Sequence, residues 1–184
     1  MTALVCMTWD PMNTSRFGEC SQGILNQIDA DMFLYIVTAP IETRPDSLVR
    51  GLGDAESFAL DHGFTHFLHI DSGLILPAGA LTYLLRLGRP VVVVPRAGRT
   101  DLKTGEADFK TLIDRGVRWE ALLVATDILR RYPFASSFKG DYLAPDRIWF
   151  KRLLMENVPI WIETGVRPES AGRSLVDHQL ITGG

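Results

Sequence analysis

The stretch Thr65-His66-Phe67-Leu68-His69-Ile70-Asp71-Ser72-Gly73 decides how this chain is interpreted, because an apolar run ends there abruptly on a carboxylate. A short run rich in Phe, Leu and Ile between two glycines, Gly63 and Gly73, is typical of a buried strand. In an open α/β sheet, ligands bind outside the carboxyl ends of the strands. Asp71 is therefore placed to meet a metal ion or a polar ligand.

The order of elements around this stretch predicts a doubly wound sheet. Apolar runs of strand length alternate with segments of helical spacing, and glycines or prolines separate them. One helix is expected to start at Pro77. Gly51 and Gly53 each lower helix stability by roughly 1 kcal/mol relative to Ala, so the first half of their helix is expected to be irregular. The predicted strands are 3–7, 32–37, 65–70 and 91–94, and the predicted helices between them are 17–28, 46–62 and 77–87.

The second half of the chain continues this pattern less regularly. Residues 97–117 are polar and contain three glycines, so a loop or short strands at a sheet edge are expected there. A strand follows at 119–124, then a short helix capped by Thr126 or Asp127, a longer helix that opens at Pro145, and a strand at 160–162. The tail over 167–184 is expected to be partly mobile. Together these patterns predict a single α/β domain over residues 1–184, built on a doubly wound, mostly parallel sheet.

Composition and charge limit the function classes. The 184 residues are 46% hydrophobic and 22% charged, as in ordinary soluble globular domains. The net charge of −3 offers no general attraction to nucleic acid or to anionic membranes, so no nucleic-acid partner is expected. The first apolar run stops at Trp9-Asp10, which is too short for a signal peptide or a membrane span. No transmembrane segment is therefore expected, and a cytoplasmic location is.

Three pieces of the sequence, taken in order, resemble the central part of GT-A fold glycosyltransferases, especially those of family 2. The first, Ala59-Leu60-Asp61-His62-Gly63, leads into the strand that ends on Asp71-Ser72-Gly73, where the family has a D-x-D motif. The second is the strand and helix Leu122-Leu123-Val124-Ala125-Thr126-Asp127-Ile128-Leu129. The third is Asp146 at the start of its helix, followed by Asn157-Val158-Pro159-Ile160-Trp161-Ile162-Glu163-Thr164.

The resemblance implies transfer of a sugar from a nucleotide-sugar donor, a UDP- or GDP-sugar, to an unidentified acceptor hydroxyl, with inversion at the anomeric carbon. Asp71 is then the candidate ligand of a divalent cation, Mn²⁺ or Mg²⁺, which neutralises the diphosphate as a Lewis acid. Asp146 is the candidate general base that takes the acceptor proton, with Asp141 as its substitute. Trp119 and Glu120 are placed to line the acceptor pocket, because aromatic faces stack on sugar rings.

The resemblance also implies further donor-binding residues. Thr8 and Asp10 end the first strand, where the family contacts the base and ribose. Glu42 follows the second strand in a region that contacts the base, and Arg50 is placed to reach the diphosphate. The complete set of donor-binding candidates is Thr8, Asp10, Glu42, Arg50, Asp71, Ser72 and Gly73.

Departures from the family pattern leave the chemistry open. Gly73 stands where the second Asp of D-x-D is usual, Pro145 stands where the first acid of an acidic pair is usual, and the histidine often found after the last strand has no counterpart near residues 166–170. Either Asp71 and phosphate alone hold the metal, or the enzyme is metal-independent, or activity is lost. Each carboxylate also has a structural alternative, Asp71 as the cap of a turn and Asp146 as a charge that the helix dipole favours.

Two rival functions belong to other classes. A non-catalytic nucleotide- or sugar-binding module would keep the GT-A scaffold without the metal site, as Gly73 and Pro145 favour. A nucleotidyltransferase shares a related sheet but normally needs a Gly-rich, basic loop after its first strand, and residues 8–18 hold one Gly and one Arg. Dinucleotide-binding, Walker A, zinc-protease and serine-hydrolase motifs do not occur in the sequence.

Overall fold

The computed structural model describes residues 2–9, 14–27, 30–38, 44–71, 73–96, 98–118, 120–134 and 145–170. The strands are β1 (Thr2–Trp9), β2 (Asp31–Thr38), β3 (His66–Asp71), β4 (Leu74–Ile75), β5 (Val91–Val94), β6 (Gly105–Glu106), β7 (Ala121–Ala125), β8 (Trp161–Ile162) and β9 (Glu169–Ser170). The helices are α1 (Thr14–Leu25), α2 (Arg44–Asp61), α3 (Ala80–Arg86), α4 (Thr126–Arg131) and α5 (Pro145–Met155), with a π-helical turn at Lys110–Asp114. Within these ranges, no helix combines the length and the apolar character needed to cross a membrane.

Seven strands form one sheet in the order β2-β1-β3-β7-β5-β8-β6. β1 pairs in parallel with β2 and β3, and β5 pairs in parallel with β8. β7 lies antiparallel between β3 and β5, so β3 and β5 point the same way, and β6 is antiparallel to β8 at the edge. The sheet is therefore mostly parallel, as predicted. Its short edge strand falls within 97–117, where a loop or edge strands were expected.

Helices cover both faces of this sheet because its strands bury side chains on both sides. Alternate side chains of β1 enter two separate cores, with Leu4 and Cys6 in one and Val5 and Met7 in the other. Helices α2, α4 and α5 complete the first core, whereas α1 and α3 complete the second. Burial on both faces is the pattern of a doubly wound α/β sheet, so this prediction is confirmed.

Glycines correct two expectations about the helices. Helix α2 is continuous, including its first half. A Cβ on Gly51 would lie 2.1 Å from Val37 Cγ1, so the glycine lets α2 approach β2 closely, and packing offsets its low helix propensity. Helix α3 begins at Ala80 and not at Pro77, because Gly79 at its N-cap adopts a left-handed conformation with a φ of 73° that interrupts any earlier start.

Two further details differ from the sequence prediction. Neither Thr126 nor Asp127 caps α4, because Ala125 is the N-cap and the Thr126 Oγ1 hydroxyl donates instead to the Phe64 carbonyl at 2.7 Å. Strands β4 and β9 pair antiparallel with each other, a pairing that the sequence did not indicate. β9 lies in the first part of the segment 167–184, and residues 171–184 are outside the described residues.

The carboxyl ends of the parallel strands meet at one edge of the sheet. In the strand register, Thr8 at the end of β1 is opposite Asp71 at the end of β3. Ile70 and Val94, near the ends of β3 and β5, are both opposite Ala121, the first residue of β7. The end of β8 is likewise opposite the start of β6. This line of strand termini is called the carboxyl edge below.

Candidate functional site

Thr8 and Asp71, both predicted to contact a donor, lie side by side at the carboxyl edge. Thr8 is buried, whereas Asp71 is partly exposed. The Asp71 Oδ1 atom accepts a hydrogen bond from the Gly73 backbone N–H at 3.0 Å, and the Asp71 N–H donates to the Glu120 carbonyl at 2.8 Å. These bonds hold the carboxylate at the end of β3, as a turn cap would, while the residue is partly exposed.

Arg96, two residues beyond β5, reaches the position next to Asp71. A Cβ on Gly73 would lie 3.8 Å from Arg96 Nη2 and 3.5 Å from Asp71 Oδ1. Arg96 Nε also pairs with Glu120 Oε1 at 3.5 Å, and 46% of the Arg96 side chain is exposed. The position that carries the second acid of a D-x-D motif therefore has no side chain here and faces a cation.

The second predicted carboxylate, Asp146, contacts the same segment as Asp71. Asp146 lies in the first turn of α5, and its side chain is 4% exposed. Its Oδ1 atom accepts a hydrogen bond from the Arg147 backbone N–H at 3.0 Å, and its Oδ2 atom pairs with Arg118. Arg118 stands two residues before Glu120, whose carbonyl binds Asp71. The segment that leads into β7 thus touches both candidate carboxylates.

A third carboxylate lies at the same edge, directly after β8. Glu163 is 2% exposed, and its side chain is surrounded by donors. Its Oε1 atom accepts hydrogen bonds from the Gly165 N–H at 2.7 Å and the Thr104 hydroxyl at 3.4 Å, and its Oε2 atom accepts one from the Tyr83 hydroxyl at 3.3 Å. The negative charge of Glu163 raises the pKa of Tyr83. Glu163 therefore joins the end of β8 to α3 and to the loop before β6.

Arginines line a cavity of about 360 Å³ at the ends of β5 and β8. Its walls include Arg96, Arg99, Thr164 and Arg167, and none of its described lining residues is acidic. Arg99 is fixed from outside the cavity, because its Nε and Nη2 atoms donate to the two carboxylate oxygens of Asp101 at 2.9 and 3.0 Å. A cavity with this lining suits an anionic ligand.

The other predicted site residues are separate from this cluster or undescribed. Arg50 is exposed on α2, next to the glycine that packs on Val37 near the end of β2. A larger cavity, of about 540 Å³, lies between α1 and residues 75–78, and none of the predicted site residues lines it. In the described ranges, no three His, Cys, Asp or Glu side chains form a group that could hold a metal ion. Asp10, Glu42, Ser72, Trp119 and Asp141 lie outside the described residues.

Arg96 and Glu163 were not selected from the sequence, although both carry the signal that selected Asp71. Each is a charged residue directly after an apolar run, Val91-Val92-Val93-Val94-Pro95 for the arginine and Ile160-Trp161-Ile162 for the glutamate. Because parallel strands end at one edge, the same rule applied to every strand would have found both.

Several solved structures resemble this chain, although no protein-family model and no curated protein sequence matches it. A glycosyltransferase involved in the glycosylation of the major capsid of PBCV-1 has a TM-score of 0.61 and 12% identity, over 89% of this chain and 82% of that one. A protein of Desulfovibrio desulfuricans G20 assigned as a nucleotide-diphospho-sugar transferase has a TM-score of 0.52 and 12% identity, over 89% and 79% of the two chains. A 4-diphosphocytidyl-2C-methyl-D-erythritol synthase has a TM-score of 0.53 and 14% identity, over 98% of each chain.

At identities this low, the likenesses show the fold alone, and they do not support family 2 in particular. Two observations agree with them. The seven-stranded sheet is mostly parallel with helices on both faces, and Thr8 and Asp71, two of the residues predicted to contact a donor, are neighbours at its carboxyl edge. The chain has the GT-A-like fold of nucleotide-diphospho-sugar transferases.

Proposed function

We propose that this chain is a glycosyltransferase that acts in the cytoplasm and moves a sugar from a UDP- or GDP-sugar to an acceptor hydroxyl. One observation carries the proposal. Thr8 and Asp71, selected from the sequence as donor contacts, are neighbours at the carboxyl edge of a GT-A-like sheet, and the selected base Asp146 touches the segment that binds Asp71. The glycosyltransferase and the nucleotide-diphospho-sugar transferase named above support the donor class through their fold.

Asp71 serves the donor side of the proposed reaction. The Gly73 N–H fixes one of its oxygens, and the residue is partly exposed at the edge. An ionised carboxylate in this place accepts hydrogen bonds from donor hydroxyls or binds a cation at the diphosphate. A cation needs the negative charge, and a carboxylate accepts a stronger hydrogen bond than the amide oxygen of an Asn, so Asn is the weaker partner in either role.

The proposed transfer step is an in-line displacement. The acceptor oxygen forms a bond to the anomeric carbon while the bond from that carbon to the β-phosphate oxygen breaks. The electron pair of the broken bond stays on the diphosphate, and the acceptor proton passes to the Asp146 carboxylate. Attack opposite the leaving group inverts the anomeric centre, and the products are a glycoside and a nucleoside diphosphate.

Asp146 must gain access to the acceptor before it can act as a base. Its Oδ2 atom pairs with Arg118, whose own side chain is 56% exposed. We therefore assign Arg118 as the residue that covers the base until an acceptor displaces it, while the Arg147 N–H keeps Oδ1 in place. The long, exposed arginine can move without disturbing the core, since α5 packs through other residues, Trp149 and Phe150 among them.

Calorimetric titration with UDP and GDP, each with Mn²⁺ and with EDTA, tests the donor assignment. We expect the wild type to bind one of the two nucleotides and Asp71→Asn to bind it at least about tenfold more weakly. Asp54→Asn, which removes an exposed carboxylate of α2, is the matched control and should bind like the wild type. Failure of the wild type to bind either nucleotide would overturn the proposed function.

A nucleotidyltransferase is the second candidate, because the synthase named above matches this chain over 98% of both lengths. Such an enzyme joins a sugar phosphate to a nucleoside triphosphate and releases pyrophosphate. Incubation with CTP or UTP and a sugar phosphate therefore separates the two candidates, since a glycosyltransferase releases no pyrophosphate. Nucleotide binding with neither reaction would instead indicate the non-catalytic binding module.

A further inference from the structure

The geometry points to Arg96 as the cation that neutralises the diphosphate leaving group, in the place of a divalent metal ion. This inference rests on the proposed function and concerns how its donor site handles charge. It selects one of the three possibilities that the sequence left open, a metal-independent transferase.

The residues at the end of β3 do not fit a metal ion held as in a D-x-D motif. Gly73 offers no side-chain ligand, and in the described ranges no three His, Cys, Asp or Glu side chains form a group that could hold a metal ion. A side chain at residue 73 would meet the Arg96 guanidinium, because its Cβ would lie 3.8 Å from Nη2. A fixed positive charge at this distance repels a divalent cation and attracts the oxygens of a diphosphate.

Arg96 is positioned to receive such an anion. It stands directly after the buried Pro95, two residues beyond β5, and its Nε atom pairs with Glu120 Oε1 at 3.5 Å. This ion pair holds the guanidinium beside Glu120, while 46% of the Arg96 side chain is exposed. The planar fork of a guanidinium matches two phosphate oxygens.

Arg96 also lines the cavity of about 360 Å³ at the ends of β5 and β8. Arg99, whose guanidinium is paired with Asp101, and Arg167 line it together with Arg96, so Arg167 adds positive charge beside a diphosphate that contacts Arg96. As the bond between the anomeric carbon and the phosphate oxygen breaks, the negative charge that develops on the diphosphate is met by a group that is already charged and in place. Asp71 then serves as a hydrogen-bond acceptor for the donor and not as a metal ligand.

Titrations with UDP, GDP, CDP and inorganic pyrophosphate, each in EDTA and in Mn²⁺, test this assignment. For the wild type, we expect dissociation constants that agree within about twofold between EDTA and Mn²⁺. Arg96→Gln should weaken nucleoside diphosphate and pyrophosphate binding by at least about tenfold, and nucleoside monophosphate binding by much less. Arg96→Lys should restore part of the loss. Arg86→Gln, which removes an exposed arginine of α3, is the matched control and should have no effect.

A reciprocal variant, Gly73→Asp combined with Arg96→Ala, should convert the site to metal dependence. A Cβ at residue 73 has only ordinary contacts, 3.5 Å to Asp71 Oδ1 and 3.8 Å to Arg96 Nη2, and Arg96→Ala removes the side chain that a carboxylate there would meet. We expect this variant to bind the nucleoside diphosphate at least about tenfold more tightly in Mn²⁺ than in EDTA, because two carboxylates then share the cation.

The outcomes separate the two claims. Wild-type binding that requires Mn²⁺, or Arg96→Gln that binds like the wild type, would overturn the role of Arg96 and leave the proposed function standing. Absence of nucleotide binding in every condition would overturn both. Circular dichroism melts show which variants are folded; if Arg96→Gln is not, the metal dependence of the wild type and the Arg96→Lys titration still decide the question.

Discussion

Asp71 and Glu163 each follow a parallel strand at the same edge of the same sheet, yet their surroundings differ. Asp71 follows the buried residues of β3, stays partly exposed and binds the N–H of Gly73. Glu163 follows β8, is 2% exposed and accepts hydrogen bonds from α3, from the loop before β6 and from its own turn. One carboxylate belongs to a partly exposed residue, and the other joins three parts of the fold.

The difference shows that position at a strand end and availability to a ligand are separate properties. The strand brings a carboxylate to the edge, but neighbouring donors decide whether it remains available. Tyr83 and Thr104 lie 80 and 59 residues from Glu163 in the chain, so they are tertiary partners. A buried carboxylate needs such donors because an unpaired buried charge is costly.

Asp146 does not fit the distinction between an exposed carboxylate for a ligand and a buried carboxylate for structure. It is as buried as Glu163 but is proposed to act in catalysis. Replacing Asp146 with Asn should lower donor turnover by about 10³-fold, since an amide cannot take the acceptor proton. The affinity for the nucleoside diphosphate should stay within about twofold of the wild type, because the proposed donor site lies at the ends of β1 and β3 and not at Asp146. Hydrolysis of UDP- and GDP-sugars, with water as the acceptor, measures turnover before the natural acceptor is known.

Asp127→Asn is the control for that experiment. Asp127 forms an exposed ion pair with Arg131 one helical turn away in α4, so its replacement also removes a carboxylate–arginine pair but none near the carboxyl edge. We expect wild-type turnover from it. Normal turnover by Asp146→Asn would show that Asp146, buried beside Arg118, is a structural carboxylate like Glu163. Both of these buried carboxylates would then be structural, and only the partly exposed Asp71 would remain a candidate for ligand binding.

Glu56 is a buried carboxylate with fewer hydrogen-bond donors than Glu163, so it shows what burial alone does to such a group. It is 5% exposed, and its Oε2 atom accepts a hydrogen bond from the Phe134 N–H at 2.8 Å. Burial raises the pKa of Glu56 to about 7, and the hydrogen bond offsets this only in part. In the described structure, the Glu56 carboxylate accepts this one hydrogen bond, whereas the Glu163 carboxylate accepts three. Burial therefore favours the protonated form of Glu56 over the ionised form, relative to an exposed glutamate.

The raised pKa of Glu56 predicts a loss of stability as the pH rises. Below the ordinary pKa of a glutamate, Glu56 is protonated in both the folded and the unfolded state, and its contribution to the free energy of unfolding is fully present. Between that pKa and about 7, Glu56 ionises only in the unfolded state, so the free energy of unfolding falls as the pH rises. Glu56→Gln keeps the acceptor for Phe134 and should remove this loss, on the order of 2 kcal/mol between pH 5 and pH 8. Urea denaturation at both pH values measures it, with the exposed Glu156→Gln as control. An equal pH dependence in Glu56→Gln and the wild type would contradict the burial argument.

Much of the fold could be predicted because its signals are local. Apolar runs such as 91–94 and glycines at helix ends are read within a few residues, and the structure confirms the strands and helices they indicate. The pairing of β4 with β9 could not be predicted, because strands of two residues have no periodicity and their partners are about 95 residues apart in the chain. The same limit hid the continuity of α2, which depends on the contact between Gly51 and Val37 across two elements.

The candidate site divides in the same way. Asp71 and Thr8 could be found from the rule that ligands bind at the carboxyl ends of strands. The approach of Arg96 to Gly73 could not, because it depends on the strand order β3-β7-β5, in which an antiparallel strand from much later in the chain separates the two. No local pattern contains that order. Charge partners across a sheet therefore need the structure, even when each partner carries a local signal.

The smallest expected effect is that of Glu163→Gln, which tests whether Glu163 is the structural member of the pair Asp71 and Glu163. Gln keeps the shape of the side chain and removes its charge, so the free energy of unfolding should fall by only about 1 kcal/mol. Because the Glu163 charge raises the pKa of Tyr83, that pKa should fall towards its ordinary value in the variant. Titration of tyrosinate absorbance measures this shift, and Tyr83→Phe identifies the signal among the four tyrosines of the chain.

Nucleotide affinity should not change in Glu163→Gln, since the Glu163 carboxylate is hydrogen-bonded within the protein. A variant that kept its stability but lost nucleotide binding would place Glu163 with Asp71 among the ligand contacts, and burial would then no longer separate the two strand-end carboxylates.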